Sequence, residues 1–155
     1  MNNEKPHSKT SEVGLIGSVL LDPTRMKNCI SLTKDYFYES KHMSIWDALK
    51  EMYVQNMDMD ALTVKNYLQD KKILDQCGGE KYLLNLQRSD IVPCHSQSYR
   101  DDIIRTYNLR KEIDVYEDGI RRAYDGESAS DRVLSSLVRY SVSNQNYSMD
   151  KICDE

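Results

Sequence analysis

The chain has 155 residues, of which 39% are hydrophobic and 30% charged. That balance fits one soluble globular domain, with or without an appendage, built on a lean core. The formal net charge is -4, and neither residues 1–92 nor residues 93–155 hold more basic than acidic groups; phosphate binding draws on counterion release by Lys and Arg, so general affinity for nucleic acid is not expected.

The opening Met-Asn-Asn-Glu-Lys-Pro has no apolar run behind its charges and does not read as a signal peptide. No stretch approaches the roughly 20 apolar residues that span a bilayer, so a cytoplasmic chain without a membrane partner is expected. The cysteines are Cys29, Cys77, Cys94 and Cys153, with no C-x-x-C. Cys94–His95 is an adjacent pair, and adjacent residues rarely ligate one metal. Reduced cysteines and no metal site are expected. One Trp and one Phe stand against 11 Tyr, a side chain suited to half-buried surfaces.

Residues 1–7 read as a flexible polar arm. Ser8 is a candidate N-cap, and Val13, Ile16, Gly17 and Leu20 recur at helical spacing, predicting a first helix to about Asp22. Pro23 suits the first turn of a short second helix through Met26 and Ile30. Asp35 to Glu39 forms an aromatic link. A third helix starts near Lys41, with Ile45, Leu49, Met52 and Tyr53 inward and Trp46 beside them. Leu62, Val64, Tyr67 and Leu68 build a fourth helix, with Cys77-Gly78-Gly79 read as a stop signal. Tyr82, Leu83 and Leu86 mark a fifth. No segment alternates long enough to require a strand.

From Ser96 to Asp125 no proline intervenes, and a helix of about 29 residues would be about 43 Å long. Leu109, Ile113, Tyr116, Ile120 and Ala123 are spaced 4, 3, 4, 3, a heptad-like seam. Gly126 suits the left-handed end of that helix. Ser130 reads as the cap of a partner helix carrying Val133, Leu134, Leu137, Val138 and Val142, which makes an antiparallel hairpin. Gly119 either permits close helix approach or is a tolerated defect costing about 1 kcal/mol against Ala. The hairpin carries more than one apolar contact line, and each fully buried side chain of this kind is worth about 1.5–3 kcal/mol. Either another chain covers the surplus or the hairpin folds back on the preceding helices; the surplus favours another chain. Ser143 to Ser148 is polar, and Met149 to Glu155 reads as the first turn of a further helix.

No catalytic site is signalled. His42 lacks a nucleophile and an orienting partner, and a structural or capping role is expected for it. His7 is expected to help fix the start of the first helix. Asp101 and Asp102 point to different helix faces and read as solvated. Arg110, Arg121 and Arg122 are candidate contacts to DNA or an acidic partner, although Glu112, Asp114, Glu117 and Asp118 interleave at spacings that favour intrahelical ion pairs. Gly14, Gly17, Gly78, Gly79, Gly119 and Gly126 form no phosphate-cradling G-x-x-x-x-G-K-[ST] loop, so no cofactor site and no ATPase activity are expected of this chain.

Pro6-His7-Ser8, Glu12, Ile16-Gly17, Leu20 and Asp22 are followed by Asp35-x-Phe37-Tyr38, His42-x-x-Ile45, Asp60-x-x-Thr63, Leu68, Leu74, Gly78-Gly79, Tyr82-Leu83 and Leu86, and then by Tyr99, Ile103-Ile104 and Arg110. In this order and spacing they resemble the N-terminal domain of DnaB-type replicative DNA helicases, over about residues 6–145. Tyr147 to Ile152 also resembles the start of that family's linker helix. The departure lies near the first helix, where Val13 and Gly14 replace more usual polar or small types.

The resemblance implies an all-α fold: a compact helical head over 8–92, a protruding antiparallel hairpin over 93–146 that oligomerises, and a linker start over 147–155 leading to a C-terminal motor domain absent from this chain. It further implies hairpins paired between subunits, pairs joined as a trimer of dimers, docking of primase and helicase loader, and single-stranded DNA passing through the full ring. ATP and Mg would belong to the motor, and the full-length parent would be the ATP-dependent helicase. Pairing residues are expected at Leu109, Ile113, Tyr116, Ile120, Leu134 and Leu137. An alternative is a stand-alone phage or plasmid adapter that uses this fold to bind and load or inhibit a host helicase.

Overall fold

The computed structural model describes residues 4–87 and 90–139. They form α1 (Lys9–Leu21), α2 (Ser40–Val54), α3 (Ala61–Asp70), α4 (Gly79–Leu86) and α5 (Ser96–Tyr124), followed by a helix over 130–139, here α6. Short 3-10 turns occupy Pro23–Asn28, Lys34–Tyr36 and Pro93–His95. No strand occurs among the described residues, and the fold is all-helical as expected. No described helix is long and apolar enough to cross a membrane.

The chain divides into two compact units. One is Pro6–Tyr107; the other combines the described residues from Asn108 onward with Glu4 and Lys5. The division falls at 107/108, not at 92/93, because Ser96, Ile103, Ile104 and Thr106 on the first part of α5 are buried. The tail expected over 147–155, the end of the hairpin at 140–146 and Cys153 lie outside the described residues.

Within Pro6–Tyr107, α1 is the central element. Leu15, Ile16 and Val19 are fully buried, and the helix packs against the 23–28 turn, α2, α4 and the 93–95 turn. Ser8 caps it, its side chain accepting from the Ser11 amide. Phe37 and Trp46 meet in the core with ring centroids 5.1 Å apart. The Trp46 indole N–H donates to the Leu32 carbonyl at 3.0 Å, which satisfies the polar end of a buried ring.

Some elements differ from their sequence reading. The segment after Pro23 is a 3-10 turn, not a longer helix. α3 ends at Asp70, and Gly78 and Gly79 open α4 where a helix stop was expected. The arm expected to be flexible over 1–7 is engaged from Lys5 onward: Lys5 makes two ion pairs, and His7 stacks on Tyr38 with centroids 4.3 Å apart. Asp102, expected on a solvated face, accepts from the Ser11 hydroxyl at 2.7 Å. Burial pushes the Cys29 and Cys77 thiols up to about 11.

A buried polar knot ties three helices together. Glu12 of α1 is only 2% exposed. Its carboxyl oxygens accept from the Tyr38 amide at 2.6 Å and the Glu39 amide at 3.3 Å, ahead of α2. The Nδ1 of His42, itself fully buried, lies 2.5 Å from Glu12 Oε2, and its Nε2 lies 2.6 Å from the Tyr82 hydroxyl on α4. His42 thus bridges the Glu12 carboxyl group on α1 and the Tyr82 hydroxyl on α4. Burial, then Glu39 and Glu12, push the Tyr82 phenol up to about 12, so it keeps its proton.

Glu12→Ala should therefore cost about 3–5 kcal/mol in urea unfolding, because it strands two backbone amides and the His42 ring in a buried site; a loss under about 1 kcal/mol would show that the knot is dispensable. Asp60 caps α3, accepting from the amides of Leu62 and Thr63. The Thr63 hydroxyl, then its amide, hold the Asp60 carboxyl below its usual range. A depressed folded pKa stabilises above the ordinary carboxylate range and loses that contribution as pH falls through the folded value. Asp60→Ala is expected to cost about 1 kcal/mol at neutral pH, and the gap to wild type should shrink as pH drops below about 4. Urea midpoints at both pH values measure this.

Candidate helix-pairing surface

The unit beginning at Asn108 consists of the C-terminal part of α5, the turn and α6. The helix end is closed by the Glu127 amide donating to the Arg122 carbonyl at 2.9 Å, with Gly126 at φ +80°. α6 starts at Ser130, one residue earlier than a Ser130 cap would require, and the Ala129 carbonyl accepts from the Val133 amide. A Cβ on Gly119 would lie 2.8 Å from Val133 Cγ2. Of the two readings left open for this glycine, close helix approach is the one that holds.

Among the described residues the seam along α5 is only partly covered. Leu109 is 37% exposed, Tyr116 47% and Ile120 59%, while Ile113 is half-buried and Ala123 exposed. On α6, Val133 and Leu137 are half-buried, whereas Leu134 at 61% and Val138 at 59% face outward. The six residues expected to pair thus comprise four exposed and two half-buried side chains. The exposed members lie on both helices: Leu109, Tyr116 and Ile120 on α5 and Leu134 on α6.

The candidate cationic contacts fare differently. Arg110 is buried, which removes it from the surface on which a DNA or partner contact was expected. Arg121 pairs with Asp118, and Arg122 binds Asp118 at 2.8 Å and Glu127 at 3.3 Å. Arg122, then Arg121, hold the Asp118 carboxyl below its ordinary range. The two Asp118 pairs are the intrahelical kind that the spacing favoured, whereas Glu127 lies past the end of α5.

One set of contacts was missed from sequence. Lys5 Nζ lies 2.6 Å from Asp114 Oδ1 and 3.0 Å from Glu117 Oε2, more than a hundred residues along the chain. The only signal was a pair of acids three residues apart on α5, and their intrahelical alternatives concealed it.

Comparison with known proteins bears on this architecture. The family model described as DnaB-like helicase N terminal domain matches residues 4–105. A probable replicative DNA helicase of Trieres chinensis is 28% identical over 148 residues, covering 94% of this chain and 32% of that protein. The replicative DNA helicase DnaB of Rhodothermus marinus is 30% identical over 133 residues, covering 85% of this chain and 14% of that protein. The chain thus spans about a third or less of the length of these relatives. The crystal structure of the N-terminal domain of DnaB helicase from Mycobacterium tuberculosis superposes with a TM-score of 0.80 at 22% identity, over 87% of this chain and 99% of that one. A DnaB-like replicative helicase, whose structure was described with its interactions with primase, superposes at 0.71 and 21% identity over 87% of this chain and 31% of that one. With two thirds of its length under one family match and the same all-helical fold in solved members, this chain belongs to the DnaB-like helicase N-terminal domain family.

Proposed function

We propose that this chain is the N-terminal collar domain of a hexameric replicative DNA helicase, and that it pairs with a second copy through the hairpin of α5 and α6 during ring assembly. The observation that carries the reading is the stripe of exposed Leu109, Tyr116 and Ile120 and half-buried Ile113 on α5, with Leu134 and Val138 exposed on α6 among the described residues, on a chain of this family. The mechanism is geometric. Paired hairpins set the spacing between subunits, and pairs associate into a trimer of dimers that frames the path of single-stranded DNA.

Primase is the proposed docking partner, supported by the solved relative described with its primase interactions; a helicase loader is a further proposed partner. ATP and Mg would act in a separate motor domain of the helicase. This chain contributes assembly and docking, not chemistry.

Ile120→Asp tests the pairing. Ile120 is exposed in the single copy, so the substitution should leave helicity by circular dichroism unchanged. It should weaken self-association by about tenfold or more, as expected for a buried anchor at an interface. Ile113→Asp, at the half-buried seam position, should do the same. Light scattering with mass unchanged at equal concentration in both variants would remove the pairing surface from consideration.

A further inference from the structure

Within the Pro6–Tyr107 unit, α1 and α4 leave an open depression of about 430 Å³ between them, lined by Lys9, Val13, Tyr82, Asn85 and Leu86. Helical spacing brings these residues together. Lys9 and Val13 stand one turn apart on α1, and Tyr82, Asn85 and Leu86 share one face of α4. Val13 and Tyr82 are half-buried, so apolar surface reaches solvent here.

The aromatic wall of this groove is fixed in advance. Buried His42 holds the Tyr82 hydroxyl at 2.6 Å, and Lys41 Nζ lies 4.1 Å from the centroid of the Tyr82 ring. A wall already in place lowers the ordering cost of association. The charge along the groove is one-sided. Lys9 is exposed and makes no hydrogen bond or ion pair among the described residues. It is the first residue of α1, where the helix dipole adds positive potential. No carboxylate lines the groove: Asp90 lines a neighbouring depression with Ile91 and Tyr99, and Glu12 is engaged by His42 and two backbone amides. An apolar trough beside an unopposed ammonium complements an apolar side chain next to a carboxylate.

We propose that the α1–α4 groove seats an acidic amphipathic helix of a partner protein, with an apolar side chain between Val13 and Leu86 and a carboxylate on Lys9. The groove uses no residue of the hairpin, so the inference stands independently of helix pairing.

Two peptides of the same apolar pattern test it, one built from Leu and Glu and the other from Leu and Lys, titrated against the isotope-labelled full chain by NMR. The Glu peptide should shift the amides of Val13, Tyr82, Asn85 and Leu86 saturably, and the Lys peptide should not. Lys9→Glu should weaken the Glu peptide about fivefold, because repulsion replaces attraction at an exposed pair. It should keep the fold, since an acid suits the first turn of a helix. Asn85→Lys, at an exposed position of α4, should tighten the Glu peptide about twofold, and salt should narrow both differences. Absence of saturable shifts, or shifts confined to the hairpin, would remove the groove as a docking surface. Equal affinity of wild type and Lys9→Glu for the Glu peptide, or equal binding of the two peptides at the groove, would overturn the acidic partner.

Discussion

A single helix, α5, meets two different surroundings along its length. Its first part is held by burial: Ile103, Ile104 and Thr106 are covered, Tyr107 packs on Tyr36 at 4.3 Å, and Arg100 donates to the Asn28 carbonyl at 2.8 Å. From Leu109 onward the apolar stripe is largely open. Helices in proteins draw most of their stability from packing an apolar face, and intrahelical ion pairs such as Arg122–Asp118 supply only about 0.2–0.5 kcal/mol each. The C-terminal part of α5 therefore relies on α6 and carries a deficit of burial. That deficit is the physical basis of the pairing proposal.

The Pro6–Tyr107 unit solves the opposite problem, an excess of polar groups in a tight interior. The backbone turns into α2 immediately after a buried aromatic link, which leaves the amides of Tyr38 and Glu39 without helical partners. Glu12 reaches from α1 to take both, and His42 and Tyr82 complete the chain of contacts to α4. A buried network that is fully satisfied holds one arrangement of its helices, whereas a partly satisfied one is costly. No buried side-chain polar atom among the described residues lacks a partner, so α1, α2 and α4 are fixed in register by polar contacts as well as by Leu15, Ile16 and Leu83 in the core.

Periodicity made much of this legible. The boundaries of α1 and α5, the Ser8 cap, the turn at Gly126 and the apolar seam follow from local spacing and capping chemistry, which a sequence displays directly. The Glu12–His42–Tyr82 contacts do not: Glu12 and His42 stand 30 residues apart, and only the resemblance to a family singled them out together. Gly78-Gly79 shows the same limit, since paired glycines signal a break without saying whether a helix ends before it or begins after it. Arg110 read as a surface cation because its neighbours are charged, yet burial depends on which side of α5 the fold covers. Lys5 was invisible for the plainest reason: its partners lie at the other end of the chain.

Charge compensation in the hairpin also bears on what the domain can touch. Asp118 is engaged by Arg121 and Arg122, Glu127 by Arg122, and Asp114 and Glu117 by Lys5. A phosphate backbone would have to displace these pairs one by one to recruit the same cations, losing the carboxylate contacts it replaced. Binding of that kind needs free positive charge whose counterions are released, and Arg110 is buried besides. An apolar partner meets no such obstacle, because the stripe itself already lacks polar groups to strip of water. Along the hairpin, Arg121 and Arg122 are thus compensated by carboxylates, while the apolar stripe stays open among the described residues.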